Sequence, residues 1–248
     1  MIEQDGTLYV FAEVFDYLKR RGRIGYTRKV NGKWQPWKIV IDEPFHMSYP
    51  NLFEYQGEIY MIPETSADRS LRLYRAVSFP DRWELAKVIE RDVAFVDTTF
   101  LFRDTGIAAI TTDVSRYPVQ EDLLLTFDRD WNILSKTPIR EEHTECSRCA
   151  GNVLTRTDPM IRVSQNCDGH YGKGLVFSEF CEQTLTDGLG KRILQLAPES
   201  LAANTKRKRT GLHTYNCTQH YEVVDIEWDR YTFPSLCGRL WYKLTYKG

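Results

Sequence analysis

The chain has 248 residues, 42% of them hydrophobic, enough to bury a full core in one large domain or two small ones. Lys plus Arg number 33 against 34 Asp plus Glu, which excludes a global field that would draw the chain onto nucleic acid or an anionic membrane. No apolar run approaches the ~20 residues of a membrane helix, and the N-terminal MIEQDGTLYV lacks the order of a signal peptide. The expectation is a cytoplasmic chain without direct membrane insertion.

Short runs dominate from the N-terminus onward: TLYVFAEV, RIGYTRK, WKIVI, NLFEY, EIYMIP, LRLYRA, TFLF, IAAITT, DLLLTF, GLVFSEF, YEVVDIEW and RLWYKLTY. Each is rich in β-branched and aromatic residues, and turn chemistry such as QDG, VNGK and YQGE separates them. Helical periodicity is weak, its best candidate being Thr184 to Leu201. An all-β domain spanning residues 1–248 is therefore expected.

A repeat of roughly fifty residues selects the architecture. Gly6, Tyr9 and Glu13 return as Gly57, Tyr60 and Glu64, and the segment from Tyr49 aligns with that from Asp97. Third strands are expected to carry Tyr26, Tyr74, Phe127 and Phe177, and fourth strands to begin near Trp37 and Trp83. A four-stranded propeller blade takes roughly 40 to 50 residues, so the expectation is a five-bladed β-propeller. The same register leaves the first blade's innermost strand missing or replaced by another segment, such as RLWYKLTY. It also predicts an axial ring of Glu13, Glu64, Thr112, Gln165 and Asp225.

Several constellations could carry chemistry. Glu13, Glu64 and Asp97 could supply the facing carboxylates that glycosidic cleavage requires, or could cap turns and pair with an Arg inside the ring. His46, just ahead of a repeat-aligned strand, and His213, near the fifth inner strand, could donate to a hydroxyl or move a proton; a buried turn could equally satisfy either ring. Arg148 lies between Cys146 and Cys149, where its planar donors could hold a hydroxylated or anionic ligand. The two cysteines, with His143, Cys167, His170 and Cys181 nearby, have one zinc-like spacing but no second close pair, so structural thiols are expected and no metal or other cofactor is implied. The basic run TKRKRT reads as a solvated loop.

The stretch DEPFHMSYPNLFEYQGEIYMIPETS, with GRIGY before it and FVDTTF after it, resembles the propeller domain at the N-terminus of plant glucosamine inositolphosphorylceramide transferases and of bacterial proteins linked to surface-polysaccharide synthesis. That group resembles five-bladed propellers of glycoside hydrolase family 43, the arabinanases and the levansucrases. Such a resemblance implies axial carboxylates acting as base, acid and pKa modulator. Asp97 matches the Asp of an FVDPT strand, Glu64 the Glu of a PET element, His46 and Tyr49 the His and Tyr of an FHLSYP element, and Gln165 a fourth-blade Gln. Thr98 stands where the pattern has Pro, and the chain begins after the strand expected to carry the base.

The resulting expectation is a carbohydrate-active propeller that binds a sugar or glycoconjugate in its axial funnel, with glycoside hydrolase or glycosyl-transfer activity. Asp97 and Glu64 would be the acidic pair, and Glu13, His46, Tyr49, Arg148, Gln165 and His213 would position the saccharide. The alternative is a non-catalytic glycan-recognition or scaffolding module for a glycosyltransferase partner.

Overall fold

The computed structural model describes residues 1–103, 106–139, 148–180, 190–201 and 209–228. Its strands form successive antiparallel meanders, each folded back on itself by a tight turn. The first sheet comprises β1 (Ile2–Gln4), β2 (Thr7–Asp16), β3 (Arg21–Val30), β4 (Lys33–Trp34) and β5 (Lys38–Ile41), with β4 and β5 both paired to β3. The second runs in order through β6 (Ser48–Tyr55), β7 (Glu58–Glu64), β8 (Ser70–Ser78) and β9 (Arg82–Arg91). The third contains β10 (Phe95–Arg103), β11 (Gly106–Asp113), β12 (Glu121–Phe127) and β13 (Ile133–Pro138), and the fourth β14 (Met160–Asn166), β15 (Gly174–Phe180) and β16 (Arg192–Leu196).

The turns explain why the repeat was visible. Asp5–Gly6 and Gln56–Gly57 both place two consecutive residues at positive φ, at 49° and 70° and at 52° and 78°. Two such residues make the hairpin turn whose twist matches that of its strands, and glycine takes the second place without steric cost. Tyr9 pairs with Ile2 and Tyr60 with Phe53, so the two segments hold the same place in adjacent sheets. Tyr26, Tyr74 and Phe127 fall on the expected third strands β3, β8 and β12, and Phe177 falls on β15, which is third once the segment 149–154, bridged to β14 at Cys149–Ser164 and Leu154–Ile161, is counted as that blade's innermost.

The core consists of layers between blades. Phe11, Ile24, Met47, Met61 and Tyr74 join the first sheet to the second, and Ile62, Leu73, Phe100 and Leu125 join the second to the third. Leu101, Ile110, Val153 and Phe180 continue this arrangement into the fourth. Alternation along each strand buries one face against each neighbouring blade, which is why these strands read as nearly continuous apolar runs.

Three expectations need correction. Among the described residues there are four blades, not five; beyond the fourth blade the chain forms two two-stranded pieces, β17 (Arg209–Gly211) with β20 (Glu227–Trp228) and β18 (Tyr215–Cys217) with β19 (Glu222–Val224). These pieces pack on the fourth blade through Leu212, Tyr215 and Val224, and His220 meets Glu3 of the first blade at 2.9 Å. The first blade's innermost position is held over three residues by β1, so it is neither wholly missing nor known to be replaced; RLWYKLTY lies outside the described residues. The helical candidate fails where it can be seen, because Arg192–Leu196 is the strand β16, followed by a single 3-10 turn at Pro198–Ser200. β16 pairs with β15 across a core-facing strand, and that tertiary pairing outweighs weak local helical preference.

Candidate functional site: a polar funnel at the blade axis

The second strand of each blade ends at the same face of the molecule, and there Glu13 on β2, Glu64 on β7 and Gln165 on β14 approach one another. The innermost strands of the second and third blades begin at that face, and both are distorted in the same way. A register shift separates Ser48 from Asn51 in β6 and Val96 from Thr99 in β10. Within those bulges Tyr49 and Asp97 have positive φ, 42° and 50°. A bulge re-aims the side chain it carries, here toward the axis. The result is a cavity of about 590 Å³ whose lining includes all eight residues singled out from sequence: Glu13, His46, Tyr49, Glu64, Asp97, Arg148, Gln165 and His213.

Arg148 organises the centre. Its Nε donates to Asp97 Oδ2 at 2.7 Å, and Nη2 lies 3.6 Å from Glu64 Oε2. Gln165 Nε2 donates to the same Asp97 oxygen at 3.1 Å and to the Cys149 carbonyl at 3.2 Å, while Ser66 Oγ donates to Glu64 Oε1 at 2.8 Å. Gln165 Oε1 is buried and finds no partner among the described residues. One guanidinium thus sits between two carboxylates contributed by neighbouring blades.

The remaining predicted residues form two flanks. On one, the Gly22 amide donates to His46 Nδ1 at 2.8 Å, so the neutral ring carries its proton on Nε2, which lies 3.8 Å from Glu13 Oε1. Gly22 has no alternative here: a Cβ would overlap the Met47 carbonyl and stand 2.6 Å from Glu13 Oε1. On the other, His213 Nδ1 meets Asp225 Oδ2 at 3.1 Å, and Asp225 Oδ1 accepts the amides of His213 and Thr214. Tyr49 faces the cavity with its hydroxyl engaged, accepting from the Gly151 amide at 2.7 Å and pairing with Thr99 Oγ1 at 2.8 Å. It therefore offers a ligand its ring, and its polar end ties three blades together.

Thr112 departs from the expected ring. It is 1% exposed and its hydroxyl donates to Asp122 Oδ1 at 2.5 Å, beside the cavity rather than in its lining. Sequence reasoning missed Tyr171, whose ring lies 5.1 Å from that of His213 and 5.3 Å from the Arg148 guanidinium, and the amide chain Asn51–Asn152–Asn216. Asn51 sits two places after Tyr49 in a repeat-aligned strand, a signal that register alone could have flagged; nothing local marks Tyr171. Cys149 is buried, and burial pushes its thiol up to about 11. His143, Cys146 and Cys181 lie outside the described residues, as does most of TKRKRT. Among the described residues no cluster of three or more His, Cys, Asp or Glu is placed to hold a metal.

Burial pushes the Asp97 carboxyl up to about 7, with Arg148 opposing and Glu64 reinforcing the rise. Burial also raises Glu13, against the pull of His46 and with help from Glu64. The hydrogen bond to Asp225 raises His213. These shifts share one sign. For the two carboxyls the folded protein keeps protons that the unfolded chain releases near pH 4, a stabilisation lost as pH rises through their raised folded values, about 7 for Asp97. The His213 contribution is complete below about pH 6.5 and is lost as pH climbs through the raised folded value. The urea midpoint is therefore expected to fall between pH 5 and pH 8, and Asp97→Asn to flatten that slope. Parallel denaturation curves for parent and variant check this; a midpoint rising over the same range contradicts it.

With the geometry in place, comparison with known proteins is informative. Residues 1–210 match the family described as glucosamine inositolphosphorylceramide transferase 1, N-terminal. Proteins named glucosamine inositolphosphorylceramide transferase 1 from Arabidopsis thaliana and from Oryza sativa subsp. indica are 32% and 31% identical over 185 and 179 residues, covering 71% and 68% of this chain. The chain spans about a quarter of the length of these relatives, 24% in each case. In fold it is similar to an α-L-arabinofuranosidase from Lactobacillus brevis, with a TM-score of 0.64 at 13% identity over 93% of this chain and 82% of that one. It is also similar to a GH43 protein from Bacillus licheniformis, with a TM-score of 0.53 at 12% identity over 82% of this chain and 45% of that one. Those two likenesses establish a β-propeller fold and nothing about activity. By the match over residues 1–210, this chain belongs to the family of glucosamine inositolphosphorylceramide transferase 1 N-terminal domains.

Proposed function

We propose that the funnel binds the saccharide part of a glycoconjugate and that the chain acts as a recognition module working with a glycosyltransferase. The observation that carries this reading is the composition of one 590 Å³ cavity: carboxylates, an amide, a guanidinium and two imidazoles from successive blades, with the Tyr171 ring at its wall. Sugars need that combination, because their hydroxyls take directed hydrogen bonds while their C–H faces pack on rings, and a volume in this range suits a small ligand. The relatives' name and their greater length are in keeping with a module that accompanies a transferase.

Recognition is preferred to hydrolysis because the acidic pair is already committed within the protein. Asp97 Oδ2 accepts from both Arg148 and Gln165, and Glu64 is held by Ser66 and faces the same guanidinium. One observation favours turnover as the second reading: a carboxyl raised to about 7 beside another carboxylate is the arrangement that general acid catalysis uses.

A glycan-array screen followed by a turnover assay on the retained glycans separates these readings. Recognition predicts binding without cleavage or transfer; turnover abolished by Asp97→Asn establishes the enzyme, and no retained glycan overturns both. Glu64→Gln removes a charged acceptor from the cavity. Hydrogen bonds to charged groups contribute about 1.5–3 kcal/mol, so a roughly tenfold to hundredfold loss of affinity is expected by calorimetric titration.

A further inference from the structure

We infer that the Asn152 and Asn216 carboxamides form a donor-only subsite in the wall of the funnel, and that it takes the carbonyl oxygen of an acyl group on the bound sugar. The inference rests on the saccharide reading of the cavity and adds which substituent the sugar carries. Three asparagines from separate stretches of chain line the cavity: Asn51 on β6, Asn152 in the segment ahead of β14, and Asn216 on β18. Backbone amides settle which end of each side chain is oxygen, because a backbone N–H only donates. The Phe100 amide donates to Asn51 Oδ1 at 3.2 Å, so the other end of Asn51 is its NH2, which donates to Asn152 Oδ1 at 2.6 Å. The Asn152 amide in turn donates to Asn216 Oδ1 at 3.0 Å. Asn152 and Asn216 therefore both spend their oxygens inside the protein. Their Nδ2 groups find no partner among the described residues, and neither nitrogen is buried.

The backbone holds the pair in place. Tyr215 donates its amide to the Ala150 carbonyl at 2.7 Å, and Gly151, at a φ of 126°, passes so close to Tyr215 that a Cβ there would overlap its carbonyl. Glycine permits that approach, and it sets the next residue, Asn152, beside Asn216. The Gly151 amide also donates to the Tyr49 hydroxyl, which joins this wall to the charged centre.

Two NH2 groups with spent oxygens select the atom they meet. A carbonyl oxygen offers lone pairs and has no proton of its own to place, whereas a hydroxyl brings a proton for which neither amide keeps an acceptor. A carboxylate is opposed by the cavity itself. Its lining carries the carboxyl groups of Glu13, Glu64, Asp97 and Asp225, and its one guanidinium, Arg148, already faces Asp97 and Glu64. Of the two imidazoles, His213 is paired with Asp225 and His46 lies beside Glu13. Like charges brought together in such a site cost affinity. An uncharged acyl carbonyl, in an ester or an amide, is what remains.

A glycan array printed in matched sets, each backbone in plain, N-acetylated, O-acetylated and uronic acid forms, tests this with the whole chain. One of the two acetylated forms is expected to bind about tenfold tighter than its plain counterpart, since each neutral hydrogen bond gained contributes a few-fold; which of them leads identifies the linkage. Asn152→Asp and Asn216→Asp each keep the oxygen that the amide chain uses and replace only the unpartnered NH2. Each is expected to bring the ratio of acetylated to plain binding down to about one. That ratio compares two ligands on one protein, so a general weakening of the fold does not move it. Equal binding of acetylated and plain forms overturns the inference and leaves the saccharide reading standing. So does tightest binding of the uronic acid form, or a preference that survives both substitutions. Retention of no glycan at all overturns both.

Discussion

Replacing Arg162 by Met is expected to cost about 3–5 kcal/mol, the penalty of leaving one member of a buried ion pair without its partner. Arg162 on β14 donates to Asp122 on β12 at 2.5 Å, and both side chains are only 1% exposed. The pair joins the third blade to the fourth, and Thr112 donates to the other Asp122 oxygen. Losing Arg162 strands a carboxylate where water does not reach. In a chain of this length each kcal/mol moves the melting temperature by roughly 2–4 °C, so a drop of roughly 6–20 °C should appear in calorimetry. The double variant Arg162→Met with Asp122→Leu is expected to recover most of it, because a buried pair replaced as a whole by apolar side chains is often neutral. A single variant melting within 2 °C of the parent (about 1 kcal/mol or less) would show that the pair carries little.

Arg148→Met should have the second-largest effect, and it acts on both stability and binding. Asp97 loses its counter-charge while its side chain is 5% exposed, and Glu64 loses the same neighbour. About 3 kcal/mol of stability is expected to go, toward the lower end for a broken buried pair because the Arg148 side chain is itself 20% exposed. Affinity for any retained glycan should fall by about tenfold or more. Arg148→Lys should rescue neither, since a single ammonium cannot serve two carboxylates as a planar fork does. With Arg148 gone, the largest offset to the burial that raises Asp97 is lost, so the loss of stability with rising pH extends to higher pH. Adding Asp97→Asn to Arg148→Met should restore much of the stability but none of the glycan affinity, which distinguishes a structural contribution from a binding one.

Much of this site was legible because a turn with two positive-φ residues must be written in a narrow alphabet. Asp5–Gly6 and Gln56–Gly57 mark the same point in two blades, and counting seven residues onward reaches Glu13 and Glu64 at the axis. The count failed at Thr112, where the hydroxyl is taken by Asp122 on the next strand, a cross-strand contact with no local signature. Likewise the bulges at Tyr49 and Asp97 are imposed by packing at the axis, since neither residue type demands a left-handed backbone. Tyr171 reached the wall through a loop whose path depends on the fourth blade's neighbours. The blade count was overread for a related reason: a period fixes the size of a module, and whether the last stretch completes one depends on strand pairing, which here stops at two-stranded pieces among the described residues.

The most direct measurement is a crystal structure of the chain soaked with a glycan retained on the array. The sugar should lie in the axial funnel, its hydroxyls within hydrogen-bond reach of Glu64 and Arg148 and one face against Tyr171. Density for the glycan on an outer blade surface, with the funnel holding only water, would contradict the assignment of this cavity as the saccharide site.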